Sequence, residues 1–372
     1  MKQARRLWLN VHLCLGLTLG AVFALLGITG SVLVFYPEID RALNPELRPS
    51  AMGTPGVSVQ AVADKVRALY PDREGGWRIE MPLNENTPVT IRYANASERE
   101  GRSFSPLLIT LDPVTLEPTS HRVWGDYLVT FMYDLHYTLL FDKPGKIAVG
   151  IIGLIMLISL LSGLWLWWPS RSRWRAALAP KVREGSVRRT YDLHVLGGVY
   201  GVLLLMVLVL TGAGLALPEQ TRSLVAGAFT LKPLPEVVSY AAPEARLVQL
   251  DDAVTIARER FPQSQLRWVD VPGRDGGPLA IRVYQANEPG RRFPKTKLWL
   301  DGTTGEIIGV WDPAENASGN TVLDWLHPLH NGEAFGLAGR WLAFVAGLLP
   351  LLLFVTGVIR WRQKRRARTA RS

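Results

Sequence analysis

Four stretches of the chain carry no charged side chain: residues 7–36, 147–168, 195–217 and 341–359. Each is long enough to cross a hydrocarbon core of roughly 30 Å at about 1.5 Å of helix rise per residue. A backbone in lipid must satisfy its own hydrogen bonds, so the pattern predicts four transmembrane helices. Between the first and second spans, and again between the third and fourth, the apolar period changes. Residues 59–70 read as a helix closed by Pro71, followed by short alternating runs at 77–81, 89–93 and 107–111. Residues 248–261 read as a helix closed by Pro262, followed by runs at 266–271, 279–284 and 297–300. Alternation bounded by Gly, Pro and Asp is a strand signal. The expected fold class is an integral membrane α-helical protein with two small α+β domains outside the bilayer.

The order of elements repeats, and so do individual residues. With His12 set on His194, Gly16 falls on Gly198 and Thr29-Gly30 falls on Thr211-Gly212, without a gap. With His136 set on His330, Gly145 meets Gly339, Lys146 meets Arg340, Gly153 meets Gly347 and Ser162-Gly163 meets Thr356-Gly357. The chain is therefore expected to be two copies of helix, outer domain, helix. Both copies keep one topology, which predicts a pseudo-twofold axis along the membrane normal. The expected organisation is a first span at 1–36, an outer domain with a pre-membrane helix at 37–143, and a second span at 144–169. A basic loop at 170–190, a third span at 191–217, a second outer domain at 218–338, a fourth span at 339–360 and a basic tail at 361–372 complete it. The first apolar run is too long for a cleaved leader and no small-residue cleavage site follows it, so it is expected to remain as a span.

Charge gives the orientation. Lys2, Arg5 and Arg6 precede the first span, seven basic residues from Arg171 to Arg189 lie between the second and third, and seven from Arg360 to Arg371 follow the fourth. The only acids in those segments are Glu184 and Asp192. The positive-inside rule makes these segments, and both termini, cytoplasmic. A formal net charge of +10 is thus a membrane signature, and no nucleic-acid partner is expected; membrane lipid is. Cys14 is the single cysteine, which excludes an intramolecular disulfide and a cysteine-held iron–sulfur cluster.

Four of the six histidines occupy duplicated positions. His12 and His194 stand at the cytoplasmic ends of their helices, and His136 and His330 precede the second and fourth spans on the outer side. Two imidazoles at each of two depths suit two haems with paired axial ligands, and ionisable side chains within membrane spans are functional by default. Gly16 and Gly198 lie one turn beyond their histidines. Gly30 and Gly212 lie about five turns beyond, on the same face at the other depth, where each would clear helix surface for a flat macrocycle. Close helix packing is the ordinary alternative for such glycines. His327 is a further candidate ligand beside His330, and His121 is expected to be solvated. The sequence has no G-x-G-x-x-G opening a helix after a strand and no Walker loop, so electrons are expected from quinol, reduced flavin or a partner protein rather than from a dinucleotide bound here.

Trp8 to His12 with Gly16 and Thr29-Gly30, Leu135-His136 with Gly145 and Gly153, the run from Ser162-Gly163-Leu164-Trp165 to Pro169, and the helix and Asp-containing turn of each outer domain together resemble the PepSY-associated transmembrane family. Within it the resemblance is to bacterial inner-membrane siderophore-iron reductases. That resemblance implies PepSY-like periplasmic domains and a di-haem b-type membrane cytochrome, an oxidoreductase that reduces ferric siderophores and frees iron as Fe(II). The implied haem-iron ligands are His12, His194, His136 and His330, and the second copy departs by carrying Pro328 and His327 beside His330. The alternative expectation is a non-enzymatic periplasmic regulator or anchoring protein, as PepSY-like modules are associated with inhibiting or anchoring proteases.

Overall fold

The computed structural model describes residues 2–50, 56–84, 87–94, 96–99, 101–179, 185–238 and 248–369. Lys181, Arg183, Glu184 and Arg371, used above for orientation, lie outside the described residues. The chain divides into two compact units, one formed by Met1–Phe35, Met132–Thr221 and Leu326–Ser372, the other by Tyr36–Phe131 and Arg222–Trp325. Its elements are α1 (Lys2–Thr18), α2 (Gly20–Val34), α3 (Tyr36–Leu43), α4 (Val59–Leu69), β1 (Trp77–Glu80), β2 (Val89–Tyr93), β3 (Leu107–Leu111), β4 (Pro118–Val123), α5 (Leu128–Thr138) and α6 (Asp142–Trp167). They continue as α7 (Trp174–Leu178), α8 (Ser186–Ala216), α9 (Pro218–Ala228), α10 (Leu250–Arg260), β5 (Gln265–Val271), β6 (Leu279–Tyr284), β7 (Thr296–Leu300), β8 (Ile307–Trp311), α11 (Ser318–His330) and α12 (Gly336–Thr369).

The first unit is helical. Among the described residues, Asp142–Trp167, Ser186–Ala216 and Glu333–Thr369 are long and apolar enough to cross a membrane. The first apolar run is a pair, α1 and α2, bent by 59° at Leu19. The bend changes the neighbours of that run: α1 packs on α6, while α2 packs on α12. The remaining large contacts are α6 with α8 and α8 with α12. Close approach is made by small side chains. A Cβ on Gly27 would strike Gly347 O, one on Gly347 would strike Ser31 Oγ, and one on Gly153 would lie 3.3 Å from Ala213 Cβ. These glycines serve packing between helices, the ordinary use of small residues in membranes, and not the clearing of a macrocycle face.

A tight turn joins α5 to α6, and another joins α11 to α12. In the second copy Gly332 (φ 78°) and Gly336 (φ 59°) provide its left-handed backbone. The first copy places Leu139 (φ 49°), Leu140 (φ 66°) and Asp142 (φ 54°) in the same region, where an L side chain is strained. A Cβ on Gly145 would collide with Thr138 O, and one on Gly339 with Gly332 O. Glycine at these duplicated positions is therefore a requirement of the turn that carries His136 and His330.

The second unit corrects the expectation of two separate outer domains. Each copy supplies four antiparallel strands, and β1 pairs with β5, so the order β4-β3-β2-β1-β5-β6-β7-β8 makes one eight-stranded sheet. Ile79 stands opposite Val269 at the junction, both fully buried. One face presents Ile79, Ile91, Ile109, Val269, Ile281 and Leu298 to the apolar sides of α4 and α10 in a common core. The two helices cap each other. Asp251 accepts from Ser58 Oγ and Val59 N (2.8 Å) at the start of α4, while Gln60 Oε1 accepts from Leu250 N (2.9 Å) at the start of α10. Free N–H groups at helix starts are thereby satisfied across the duplication.

Candidate functional site

The helical unit brings the four duplicated histidines together in two pairs. The rings of His12 and His194 have centres 6.2 Å apart, and those of His136 and His330 are 6.1 Å apart. Seventeen residues separate His12 from Thr29, which contacts His136, and seventeen separate His194 from Thr211, which contacts His330. Along the unbroken helix α8 the second interval is roughly 25 Å, so the pairs stand at two well-separated levels.

Each ring is held in the same way. His12 Nδ1 lies 3.1 Å from both Ser159 O and Ser162 Oγ, and His194 Nδ1 lies 3.1 Å from both Leu353 O and Thr356 Oγ1. His136 Nδ1 is 2.9 Å from Leu26 O and 3.1 Å from Thr29 Oγ1. His330 Nδ1 is 2.9 Å from Leu208 O and 3.2 Å from Thr211 Oγ1. A carbonyl only accepts, so Nδ1 carries the hydrogen in all four rings. The hydroxyls have spent their own hydrogens: Ser162 donates to Ser159 O (2.8 Å), Thr29 to Leu25 O (2.8 Å), Thr211 to Val207 O (2.6 Å) and Thr356 to Leu352 O (2.6 Å). They too are acceptors toward Nδ1. Every Nε2 is left as a lone pair, the form in which neutral imidazole binds a metal.

The glycine after each hydroxyl makes room for the ring. A Cβ on Gly30 would lie 2.8 Å from His136 Cε1, on Gly212 2.7 Å from His330 Cε1, on Gly163 3.0 Å from His12 Cε1, and on Gly357 3.3 Å from His194 Cε1. This changes the reading of Gly30 and Gly212, which face the imidazole of the other level rather than simply clearing helix surface. By contrast a Cβ on Gly16 would meet nothing within 4 Å, and one on Gly198 would meet only Leu353 Cδ2, at 3.6 Å. The sequence contains the signal, since Ser or Thr followed by Gly occurs at each of these four places, but the ring that each hydroxyl meets lies more than a hundred residues away.

Each histidine bonds within its own copy, α1 to α6, α5 to α2, α8 to α12 and α11 to α8, whereas each pair forms between copies. His330, not His327, faces His136; His327 Nδ1 lies 3.4 Å from Asn331 Nδ2. His121 is exposed, and its Nδ1 is engaged by Tyr70 Oη at 2.7 Å. No group of three or more His, Cys, Asp or Glu suited to a metal ion occurs among the described residues.

No curated protein matches this chain. The family described as the PepSY-associated TM region matches residues 9–364, which takes in both histidine pairs, all four supporting Ser/Thr-Gly steps and the whole sheet. The chain belongs to the PepSY-associated TM family.

Proposed function

We propose that the chain is a di-haem b-type membrane cytochrome of a bacterial inner membrane that reduces ferric siderophores on the periplasmic side and releases Fe(II). The observation that carries this reading is the spacing within the two pairs. An iron held between two imidazole nitrogens at roughly 2 Å each sets the ring centres roughly 6 Å apart, and the pairs have 6.2 and 6.1 Å. His12 and His194 would hold one haem and His136 and His330 the other. Only two protein ligands at each level suit a macrocycle that supplies the remaining four itself. Haem held by these histidines would supply single-electron transfer with no open position for oxygen.

The chain's own residues prepare both levels. The carbonyls of Ser159, Leu353, Leu26 and Leu208 fix the Nδ1–H tautomer and the ring angle, and they raise the basicity of Nε2. The Ser and Thr hydroxyls add a second acceptor on the same hydrogen. By the positive-inside rule, the basic segments at both termini and between the second and third spans support a cytoplasmic His12 level and periplasmic positions for the His136 level and for the sheet. One electron from quinol, reduced flavin or a partner protein converts one chelated Fe(III) to Fe(II), a softer and more weakly held ion for oxygen donors.

Protein purified in mild detergent from haem-replete cells should be red, and a pyridine haemochrome assay should return about two b-type haems per chain. A folded, colourless preparation would end this reading and leave the non-enzymatic regulator.

A further inference from the structure

The face of the sheet turned away from α4 and α10 carries charge and indole rings. Strand register sets Arg92, Arg78, Asp270, Ala280 and Trp299 side by side across β2, β1, β5, β6 and β7. The neighbouring row runs Glu80, Trp268, Arg282 and Lys297. Glu80 is taken by Arg92 at 2.9 Å. Asp270 is gripped by Arg78 through Nε and, at 3.2 Å, Nη2. Arg78 and Arg282 both lie over the Trp268 ring, at 4.5 and 5.0 Å, and Lys297 lies 4.3 Å from the Trp299 ring centre. Three cations thus share one carboxylate. Arg282 Nε and Trp268 Nε1 are buried without a hydrogen-bond partner. Burial, with Arg282 close by, pushes the Lys297 amine down to about 8 against the pull of Asp270.

An arginine stacked on tryptophan beside an aspartate is an ordinary structural device. It does not call for a third, poorly neutralised cation, nor for two orphaned donors, each of which costs stability when left unmade. The cluster also lies between two covers. Asp40 of α3 pairs with Arg122 toward the β4 edge, and Pro235 and Val237 lie against Gly309 on β8. Between them the Arg78 and Asp270 side chains keep 30% and 27% of their surface in solvent, so a small solute reaches them.

We propose that this cluster is a binding site for a polyanionic ferric chelate of the catecholate class, whose flat rings suit the half-buried Trp299 indole and whose oxygens suit the poorly neutralised cations. The assignment rests on the reductase reading and narrows its substrate: a neutral hydroxamate complex gains nothing from the excess positive charge.

Gallium(III) forms the same complexes as Fe(III) and is not reduced, so binding is read apart from electron transfer. Full-length protein in phosphatidylcholine nanodiscs is titrated with tris(2,3-dihydroxybenzoato)gallium(III), with tryptophan fluorescence and calorimetry as readouts. The expected result is saturable binding that weakens about tenfold or more in Lys297→Gln and in Arg282→Gln, as loss of a charge-assisted contact does. Neutral tris(acetohydroxamato)gallium(III) should bind at least about tenfold more weakly, by the same reasoning. Should Arg282→Gln fail to fold, the half-buried Lys297→Gln carries the test. Absence of binding, full affinity in the folded variants, or equal competition by inorganic phosphate overturns the assignment. So does loss of binding when phosphatidylglycerol is added to the disc, because lipid headgroups then own the site. Gallium binding by a haem-free protein keeps the site and sinks the reductase; haem-dependent reduction of the ferric catecholate, with gallium binding unchanged in Lys297→Gln, does the reverse.

Discussion

Thr29 Oγ1 lies 3.1 Å from His136 Nδ1 while giving its own hydrogen to Leu25 O at 2.8 Å. The hydroxyl is therefore an acceptor only, a second anchor on a hydrogen that Leu26 O already holds at 2.9 Å. Thr211 does the same for His330. Thr29→Val and Thr211→Val keep the volume and remove the anchor. Both variants should retain the outer haem with affinity lowered about tenfold, the mild end of such losses, and with a shifted midpoint potential in a redox titration. Gly30→Val should act differently, because its side chain invades the His136 ring. The haemochrome assay should then fall from about two haems to about one. Full haem content in Gly30→Val would mean that His136 is not an axial ligand.

The two levels should also separate by their ligands. His330→Ala should remove the outer haem and leave the inner one, and dithionite-reduced protein should then pass electrons to a ferric siderophore far more slowly per haem. His12→Ala or His194→Ala should leave the outer haem oxidisable by the chelate, yet block its refilling by a physiological donor in membranes. His327→Ala should keep both haems, as its ring is turned to Asn331. Gly16→Leu gives the sharpest contrast. A Cβ at this position meets no protein atom within 4 Å, so fold and yield should be unaffected. A drop in inner haem alone would show that the space beside His12 belongs to the macrocycle.

Asp112 gives the sheet an acid limit. Burial on its own would raise its carboxyl, but hydrogen bonds from the backbone of Thr115, Ser50 and Val114 outweigh burial and hold it at about 2. The folded state therefore binds this proton less readily than the unfolded chain. The stabilisation, about 2 kcal/mol, is complete above pH 4 and disappears as pH falls toward 2. Hydrogen-exchange protection at the β3–β4 turn, taken relative to the intrinsic amide rate at each pH, should fall through that window in wild type. In Asp112→Asn protection should be lower at neutral pH and should change much less between pH 4 and 2.

Much of this was readable from the residues because each element announces itself locally. The spans follow from the absence of charge, β2 from uninterrupted alternation, and β3 and β6 from short apolar runs bounded by turn residues. The pairing of His12 with His194 follows from the duplication, which places like residues on like helices. Three things were hidden. Strand β4, Pro-Thr-Ser-His-Arg-Val, lies at the sheet edge with little buried side chain, so it lacks the apolar alternation that marks a strand. The β1–β5 junction depends on contacts between residues nearly two hundred positions apart, such as Ile79 with Val269, and no local pattern encodes it. The break at Leu19 sits in an unbroken apolar run and arises from packing, since α1 and α2 rest on different helices.

Orientation rests on charge alone and is tested directly. Substitutions to cysteine at exposed positions in a Cys14→Ser background can be labelled with a membrane-impermeant maleimide in intact spheroplasts. Ser97 and Asp275 lie in loops of the sheet unit, and Ser172 and Arg368 lie at the basic ends of the helical unit; all four are exposed. The first two should react at once and the last two only after permeabilisation, because Lys and Arg near span ends are retained in the cytoplasm. Glu288, although on the same outer segment, is buried at 6% exposure, and a cysteine there should react slowly from either side. Labelling of Arg368→Cys in intact spheroplasts would place the His12 level outside. The sheet would then face the cytoplasm, where no periplasmic chelate could reach its cationic face, and the proposed direction of electron flow would have to be abandoned.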